Sequence, residues 1–277
     1  MLVPKDSFII VGGGAFGAAT ALELIQQFPH ADICLFDRQP FPCNLAASWD
    51  YNKVIRSDYG DLFSMRLALE ALEAWRTHPL FSPFYHEDGM FWINDTDLAR
   101  TIAENYKKLG AKCKHSVLPV EEAKEAYSGM FDDADYTNVS EVLVNENCGW
   151  AEAKEVLENL IQTAVDAGVK YIVADVASLH IIGNGTCAGV KTTTGDIYGA
   201  AHTILCTGAG TAKLLADTAP DWEELQVGER LVAAAICTGL TKLDKNDSTF
   251  QHSPVCCQDV MPGRGNANPV DSFCRVR

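Results

Sequence analysis

Three glycines, Gly12, Gly14 and Gly17, stand in Gly-x-Gly-x-x-Gly spacing directly after the apolar run Phe8-Ile-Ile-Val11. A strand that ends in such a turn and opens a helix offers free backbone N–H groups and the positive end of the helix dipole, a cradle for a pyrophosphate. Gly12 permits the tight turn, Gly14 lets the backbone approach the phosphates, and Gly17 allows the helix to pack closely on the strand. Ala15 and Phe16 belong to the same cradle, in the first turn of the helix. Asp37 follows about 20 residues later, at the end of the apolar run Ile33–Phe36, where a carboxylate accepts hydrogen bonds from ribose hydroxyls. Arg38 stands beside it. An acid at this place suits a free 2′-hydroxyl, hence FAD or NAD rather than NADP.

The next segment carries a second set of reactive groups. Ala46-Ala-Ser48-Trp-Asp-Tyr-Asn-Lys53-Val-Ile-Arg56-Ser-Asp-Tyr59 places small residues and then charged ones where an NAD dehydrogenase would continue into further βα units. Taken alone, Lys53 and Arg56 lie three apart and read as a solvated helix face.

These residues need elements to hold them. The strand at 8–11, a helix over Ala15–Phe28 and the strand at 33–36 make one βαβ unit. Asp61–His78 reads as an amphipathic helix, and Phe81–Ile93 as aromatic, strand-like sequence that crosses into a second lobe. Helices are expected over Leu98–Leu109, Val120–Tyr127 and Ala151–Ala167, and strands over Val142–Val144, Lys170–Ala174, Val176–Ile182, Cys187–Thr193 and His202–Cys206. Leu225–Cys237 is expected to re-enter the second lobe as strands. The turn-rich sequence after Met261 is expected to be an irregular tail.

With 277 residues, 47% of them hydrophobic, the chain can bury two lobes. A formal charge of −15 leaves no basic surface for nucleic acid or an anionic membrane. No stretch of about 18 apolar residues suggests a membrane span. The ten cysteines form neither a metal-type pair nor a disulfide framework, and Cys256-Cys257, being adjacent, do not bridge comfortably. Reduced thiols, an N-terminus without a secretory leader and an ending unlike Ser-Lys-Leu lead to the expectation of a cytoplasmic protein, with peroxisomal location open to a full-length relative.

Five blocks in fixed order carry a resemblance: Val11-Gly-Gly-Gly-Ala-Phe-Gly17, Ala47-Ser48-x-Asp50-x-x-Lys53-x-x-Arg56, Phe84-Tyr-His-Glu-Asp-Gly89, Gly149-Trp-Ala151 and Cys206-Thr-Gly-Ala209. Over residues 7–260 the chain resembles the FAD-dependent amine oxidases of the D-amino-acid-oxidase superfamily, nearest the sarcosine, saccharopine and fructosyl-amino-acid oxidases. The resemblance implies a mixed α/β fold, with a Rossmann-like FAD-binding lobe at 1–80 and 151–220. An inserted, mainly antiparallel substrate-binding lobe is then expected at 81–150 and 221–260, with 261–277 outside both. It also implies that Lys53 lies over the flavin and favours oxygen as acceptor, and that Arg56 pairs with a substrate carboxylate. Ser48 is then expected beside the FAD phosphates, Val176 against the adenine through its backbone, and Thr207 and Gly208 closing over the cofactor. His86 and Trp150 read as structural.

The implied reaction oxidises the C–N bond of a secondary-amine amino acid such as sarcosine, saccharopine or a fructosyl amino acid, giving an imine and, with oxygen, hydrogen peroxide. The family's last third, with a further substrate lysine and a flavin-contacting loop, is not recognisable here, so a shortened product is expected. Two alternatives stand beside the oxidase: an inactive nucleotide-binding fragment or subunit, and a flavin-dependent dehydrogenase using another acceptor.

Overall fold

The computed structural model describes residues 5–183, 185–233, 253–259 and 273–275. The chain divides into two compact units, Met1–Tyr51 with Ala153–Ala235, and Asn52–Glu152 with Ile236–Arg277.

In chain order the first unit begins with β1 (Ser7–Val11), α1 (Ala15–Gln27) and β2 (Asp32–Asp37). The second supplies β3 (Lys53–Ile55), α2 (Leu62–Thr77), β4 (Tyr85–His86), β5 (Met90–Asn94), α3 (Leu98–Leu109), β6 (His115–Pro119), α4 (Val120–Glu125), β7 (Glu141–Asn145) and β8 (Gly149–Ala151). The first unit resumes with α5 (Ala153–Asp166), β9 (Lys170–Val173), β10 (Val176–Ile181), β11 (Cys187–Thr192), β12 (Ile197–Gly199), β13 (His202–Leu205) and α6 (Thr211–Thr218). Strands β14 (Val255–Asp259) and β15 (Phe273–Arg275) belong to the second unit.

The first unit is built on a parallel sheet in the order β13-β1-β2-β9. Near-continuous apolar text in β1 and β2 fits a sheet covered on both faces. Ile9, Val11 and Phe36 pack with the antiparallel meander β10-β11-β12 through Val190 and Leu179. Alternation turns Ile10, Ile33 and Leu35 to the other face, where α1 lies against β1 and β2 and packs on α5.

The second unit has a five-stranded sheet in the order β15-β14-β5-β7-β6, antiparallel except where β14 runs parallel to β5. Met90, Trp92, Leu143 and Cys257 face a core shared with Met65 of α2 and Ile102 and Tyr106 of α3. Phe91, Ile93, Val142 and Cys256 face a second core under Ala123 and Phe131. Cys256 and Cys257 thus point to opposite faces of one strand, and both are free thiols, as are Cys34, Cys43, Cys113, Cys148, Cys187 and Cys206. A separate small sheet joins β3, β8 and β4.

Four sequence expectations need correction. The crossing between units lies between Tyr51 and Asn52 and not near Phe81, because β3 pairs with β8 and α2 packs on α3. The helix expected over Val120–Tyr127 stops at Glu125, since Tyr127 and Ser128 adopt left-handed backbone with φ of 51° and 59°. From Leu225 to Ala233 there are 3₁₀ turns and irregular backbone instead of strands: Gly228 turns at φ +51°, and Leu231 and Val232 are exposed. The remainder of that expectation, 234–237, lies outside the described residues. In the expected irregular tail, Phe273–Arg275 is a strand paired with β14, and the rest of 261–277 lies outside the described residues.

Candidate dinucleotide and substrate sites

The glycine loop is shaped by close backbone packing. A Cβ on Gly12, which sits at φ +104°, would lie 2.4 Å from the Cys206 carbonyl oxygen, and one on Gly17 would lie 1.8 Å from that of Gly12. Glycine is therefore required at both places, with β1, β13 and the first turn of α1 pressed together. The Gly12 N–H donates to the Phe36 carbonyl at 2.8 Å and the Cys206 N–H to that of Val11 at 2.8 Å, so the strand ends are held level.

Asp37 reaches into this loop. Its Oδ2 accepts the Gly13 N–H at 2.7 Å and its Oδ1 the Arg38 N–H at 2.7 Å. Each carboxylate oxygen keeps a further lone pair, so the group can accept from sugar hydroxyls as well. Arg38 lies 4.0 Å from Asp175, the residue before Val176, and the Ala174 N–H donates to the Asp37 carbonyl at 2.8 Å. The tip of β2 and the turn leading into β10 are thereby joined, which brings Asp37, Arg38 and Val176 to one end of the unit.

Ser48 arrives from the loop after β2. Its Oγ accepts the Ala15 N–H at 2.9 Å, and a Cβ on Gly14 would meet that Oγ at 3.2 Å. Ser48 thus marks where an anion's oxygen would meet the start of α1. Phe16 stands 83% exposed in the same turn. Thr207 and Gly208 follow β13, the neighbour of β1; the Thr207 hydroxyl lies 2.8 Å from that of Thr211, and Gly208 turns at φ +51°. Gly12, Gly14, Ala15, Phe16, Gly17, Asp37, Arg38, Ser48, Val176, Thr207 and Gly208 all belong to the first unit.

Lys53 and Arg56 belong to the second unit. They do not share a helix face: Lys53 opens β3 opposite Ala151, and Arg56 follows that strand. The Arg56 guanidinium lies between two rings, 4.6 Å from the Tyr59 centroid and 4.5 Å from that of Trp92, and donates to the Asp58 carbonyl. The two rings and the bond to Asp58 hold the guanidinium, and its remaining N–H groups could receive an anion.

Sequence reasoning missed what lies beneath. Asp58 is fully buried, and its Oδ1 accepts from the Tyr106 hydroxyl and the Asn145 amide at 2.8 Å each, while the Cys148 thiol donates to Oδ2 at 3.1 Å. The Ser57 hydroxyl lies 2.8 Å from that of Tyr106. Asn105 donates to the carbonyls of Tyr59 and Gly60 at 3.2 and 2.9 Å. Burial first, and then the Asp58 charge, push the Tyr106 hydroxyl and the Cys148 thiol well up, so both stay protonated donors. The one sequence signal was an acid and two asparagines flanked by apolar strand and helix text.

His86 and Trp150 are satisfied structural groups. Their rings stack at 4.1 Å, His86 Nε2 lies 2.9 Å from Glu152, and the Trp150 N–H donates to Asp88 at 2.9 Å. Among the described residues no helix is long and apolar enough to cross a membrane.

The family model described as FAD dependent oxidoreductase (DAO) matches residues 7–260. L-saccharopine oxidase of Schizosaccharomyces pombe is 32% identical over 219 residues, covering 73% of this chain and 51% of that protein. Amino acid oxidase imqH of Aspergillus flavus is 28% identical, covering 78% and 54%. Among solved structures, the fructosamine oxidase Amadoriase II of Aspergillus fumigatus aligns at 27% identity and a TM-score of 0.62, over 76% of this chain and 50% of that one. A modified fructosyl peptide oxidase of Aspergillus nidulans shares the fold at a TM-score of 0.70 and 21% identity, over 92% and 60%. The chain spans about half the length of the curated relatives it matches. The glycine cradle and the inward-facing Asp37 fit the adenine-dinucleotide half of FAD, and the chain belongs to the DAO family of FAD-dependent oxidoreductases.

Proposed function

We propose that this chain carries the FAD-binding part and a portion of the substrate-binding part of an amine oxidase acting on a secondary-amine amino acid, of the saccharopine, sarcosine or fructosyl-amino-acid type, with oxygen as acceptor and hydrogen peroxide as product. The cofactor, when bound, supplies two-electron oxidation of the C–N bond. The supporting observation is the cradle of Gly12, Gly14 and Gly17 with Asp37 held across the loop on the Gly13 N–H.

On this reading the Phe16 backbone N–H and the Ser48 hydroxyl, which the Ala15 N–H holds in place, bind the pyrophosphate, Asp37 holds the ribose, and Arg38, Val176, Thr207 and Gly208 bound the nucleotide. The first unit is then the FAD-binding lobe and the second the substrate-binding lobe. Arg56 binds the substrate carboxylate through the guanidinium N–H groups that Asp58 leaves free, fixing the amine for oxidation. Lys53 supplies positive charge where negative charge develops on oxygen.

Purified chain reconstituted with FAD is the test. Visible flavin absorbance retained after gel filtration, with peroxide released from saccharopine, sarcosine or a fructosyl amino acid, is the expected result. Retained flavin with reduction of an artificial acceptor and no oxygen uptake would replace the oxidase with a dehydrogenase. Loss of all flavin on gel filtration would remove the reading.

A further inference from the structure

The glycine loop is closed at Gly13 by a residue that no motif singles out. Tyr171 lies on β9 opposite Leu35 of β2. Its neighbour Ile172 packs into the core beneath the meander, so alternation turns Tyr171 to the other face of the sheet. A Cβ on Gly13 would lie 3.3 Å from the edge of the Tyr171 ring, 3.4 Å from its hydroxyl and 3.2 Å from Asp37 Oδ2. Ring, hydroxyl and carboxylate thus converge on one backbone position. The hydroxyl donates to the Gln39 carbonyl at 2.8 Å, two residues past Asp37, and the ring meets Phe41 edge-on at 4.9 Å.

Resting on the FAD reading above, we propose that Tyr171 is a positioning residue of the adenosine subsite: it ties the Asp37–Phe41 turn to the glycine loop and so fixes the carboxylate in the orientation that receives the ribose hydroxyls. Asp37 is bonded to Gly13 and Arg38 through short backbone donors, and the segment after it has no regular structure until β3. The Tyr171 hydroxyl joins that segment to the sheet beside Gly13. Burial, and then the Asp37 charge, push this hydroxyl's pKa up, so it is a donor at every physiological pH.

The test compares ADP with 2′,3′-dideoxy-ADP, measured by calorimetry on the purified chain without flavin turnover. Wild type prefers ADP because Asp37 receives the hydroxyls. Tyr171→Phe, which keeps the ring, is expected to narrow that preference about fivefold, the worth of one well-placed hydrogen bond, with the melting temperature nearly unchanged. Equal weakening of both ligands, leaving the ratio intact, would make Tyr171 a structural residue only and overturn the proposal. An unchanged ratio with unchanged affinities would do the same. Should Tyr171→Phe not fold, 3-fluorotyrosine at this position keeps ring and donor, and must preserve the ratio; a narrowed ratio there overturns the proposal. Wild type that binds neither ligand would take down the FAD reading itself, a result distinct from all of these.

Discussion

The glycine loop and the cluster under Arg56 solve the same problem, holding a charge-binding group still, by opposite means. The loop does it mainly with backbone: the absent side chains of Gly12 and Gly17 let β1, β13 and α1 touch, and only Asp37 and Ser48 reach in, on the Gly13 and Ala15 N–H groups. The cluster does it with side chains drawn from four places, Ser57 and Asp58 after β3, Asn105 and Tyr106 on α3, Asn145 on β7 and Cys148 before β8. A backbone site fails by steric contact, whereas a buried polar network fails when one member leaves the others unpaired. The two regions are therefore expected to respond differently to substitution.

The largest effect is expected at the loop. Gly17→Ala puts a methyl onto the Gly12 carbonyl and should cost about 3 kcal/mol or more, abolishing flavin retention in gel filtration while the second unit still folds in a separate melting transition. A fully wild-type melt would break the comparison. Next comes the cluster, where Asp58→Ala strands the donors of Tyr106, Asn145 and Cys148 and should cost about 3 kcal/mol. Asp58→Asn, which keeps an acceptor oxygen, should cost less, and thermal denaturation of both variants checks that order. Nucleotide affinity in the first unit should be unaffected by either.

A smaller, pH-dependent effect sharpens the contrast at the edge of the second unit. Burial pushes the Glu87 carboxyl up, but bidentate hydrogen bonds from Arg76, a further bond from Asn147 and the Arg76 charge outweigh it, leaving the pKa lowered. A carboxyl whose folded pKa is depressed contributes stability above its unfolded value and loses it as pH falls through the folded one. Melts between about pH 6 and about pH 3 should show this loss, small for a partly exposed ion pair, and Glu87→Gln should reduce it. The smallest effect is expected at Ser48→Ala, which removes the acceptor of the Ala15 N–H from a solvent-accessible helix start. A cost of about 0.5 kcal/mol in the melt, with a larger loss in FAD affinity, would separate a ligand-binding serine from a merely capping one.

This contrast explains what was legible in the sequence. Gly12, Gly14, Gly17 and Asp37 lie within one βαβ unit, so spacing alone carries their geometry. The parallel core strands and the long helices followed from apolar runs and periodicity, for the same local reason. Asp58, Tyr106 and Asn145 are separated by scores of residues, and their meeting depends on how α3 and β7 pack, which no local pattern encodes. Tyr171 was invisible for a related cause: its contact with Gly13 exists only because β9 pairs beside β2. The turn at Tyr127–Ser128 escaped because left-handed backbone at a tyrosine and a serine contradicts their ordinary preferences. Taken alone, Lys53 and Arg56 read as a helix face because three-residue spacing ignores the pairing of β3 with β8.

The central claim is that the first unit grips an adenine dinucleotide by its glycine loop and Asp37. Titration of the purified chain with FAD, followed by calorimetry for wild type and Asp37→Ala, tests it most directly. Saturable one-site binding that weakens at least tenfold in the variant, the loss of roughly 1.4 kcal/mol from the ribose contact, is the predicted result. Binding of equal strength in both proteins, or none in the wild type, would contradict the account.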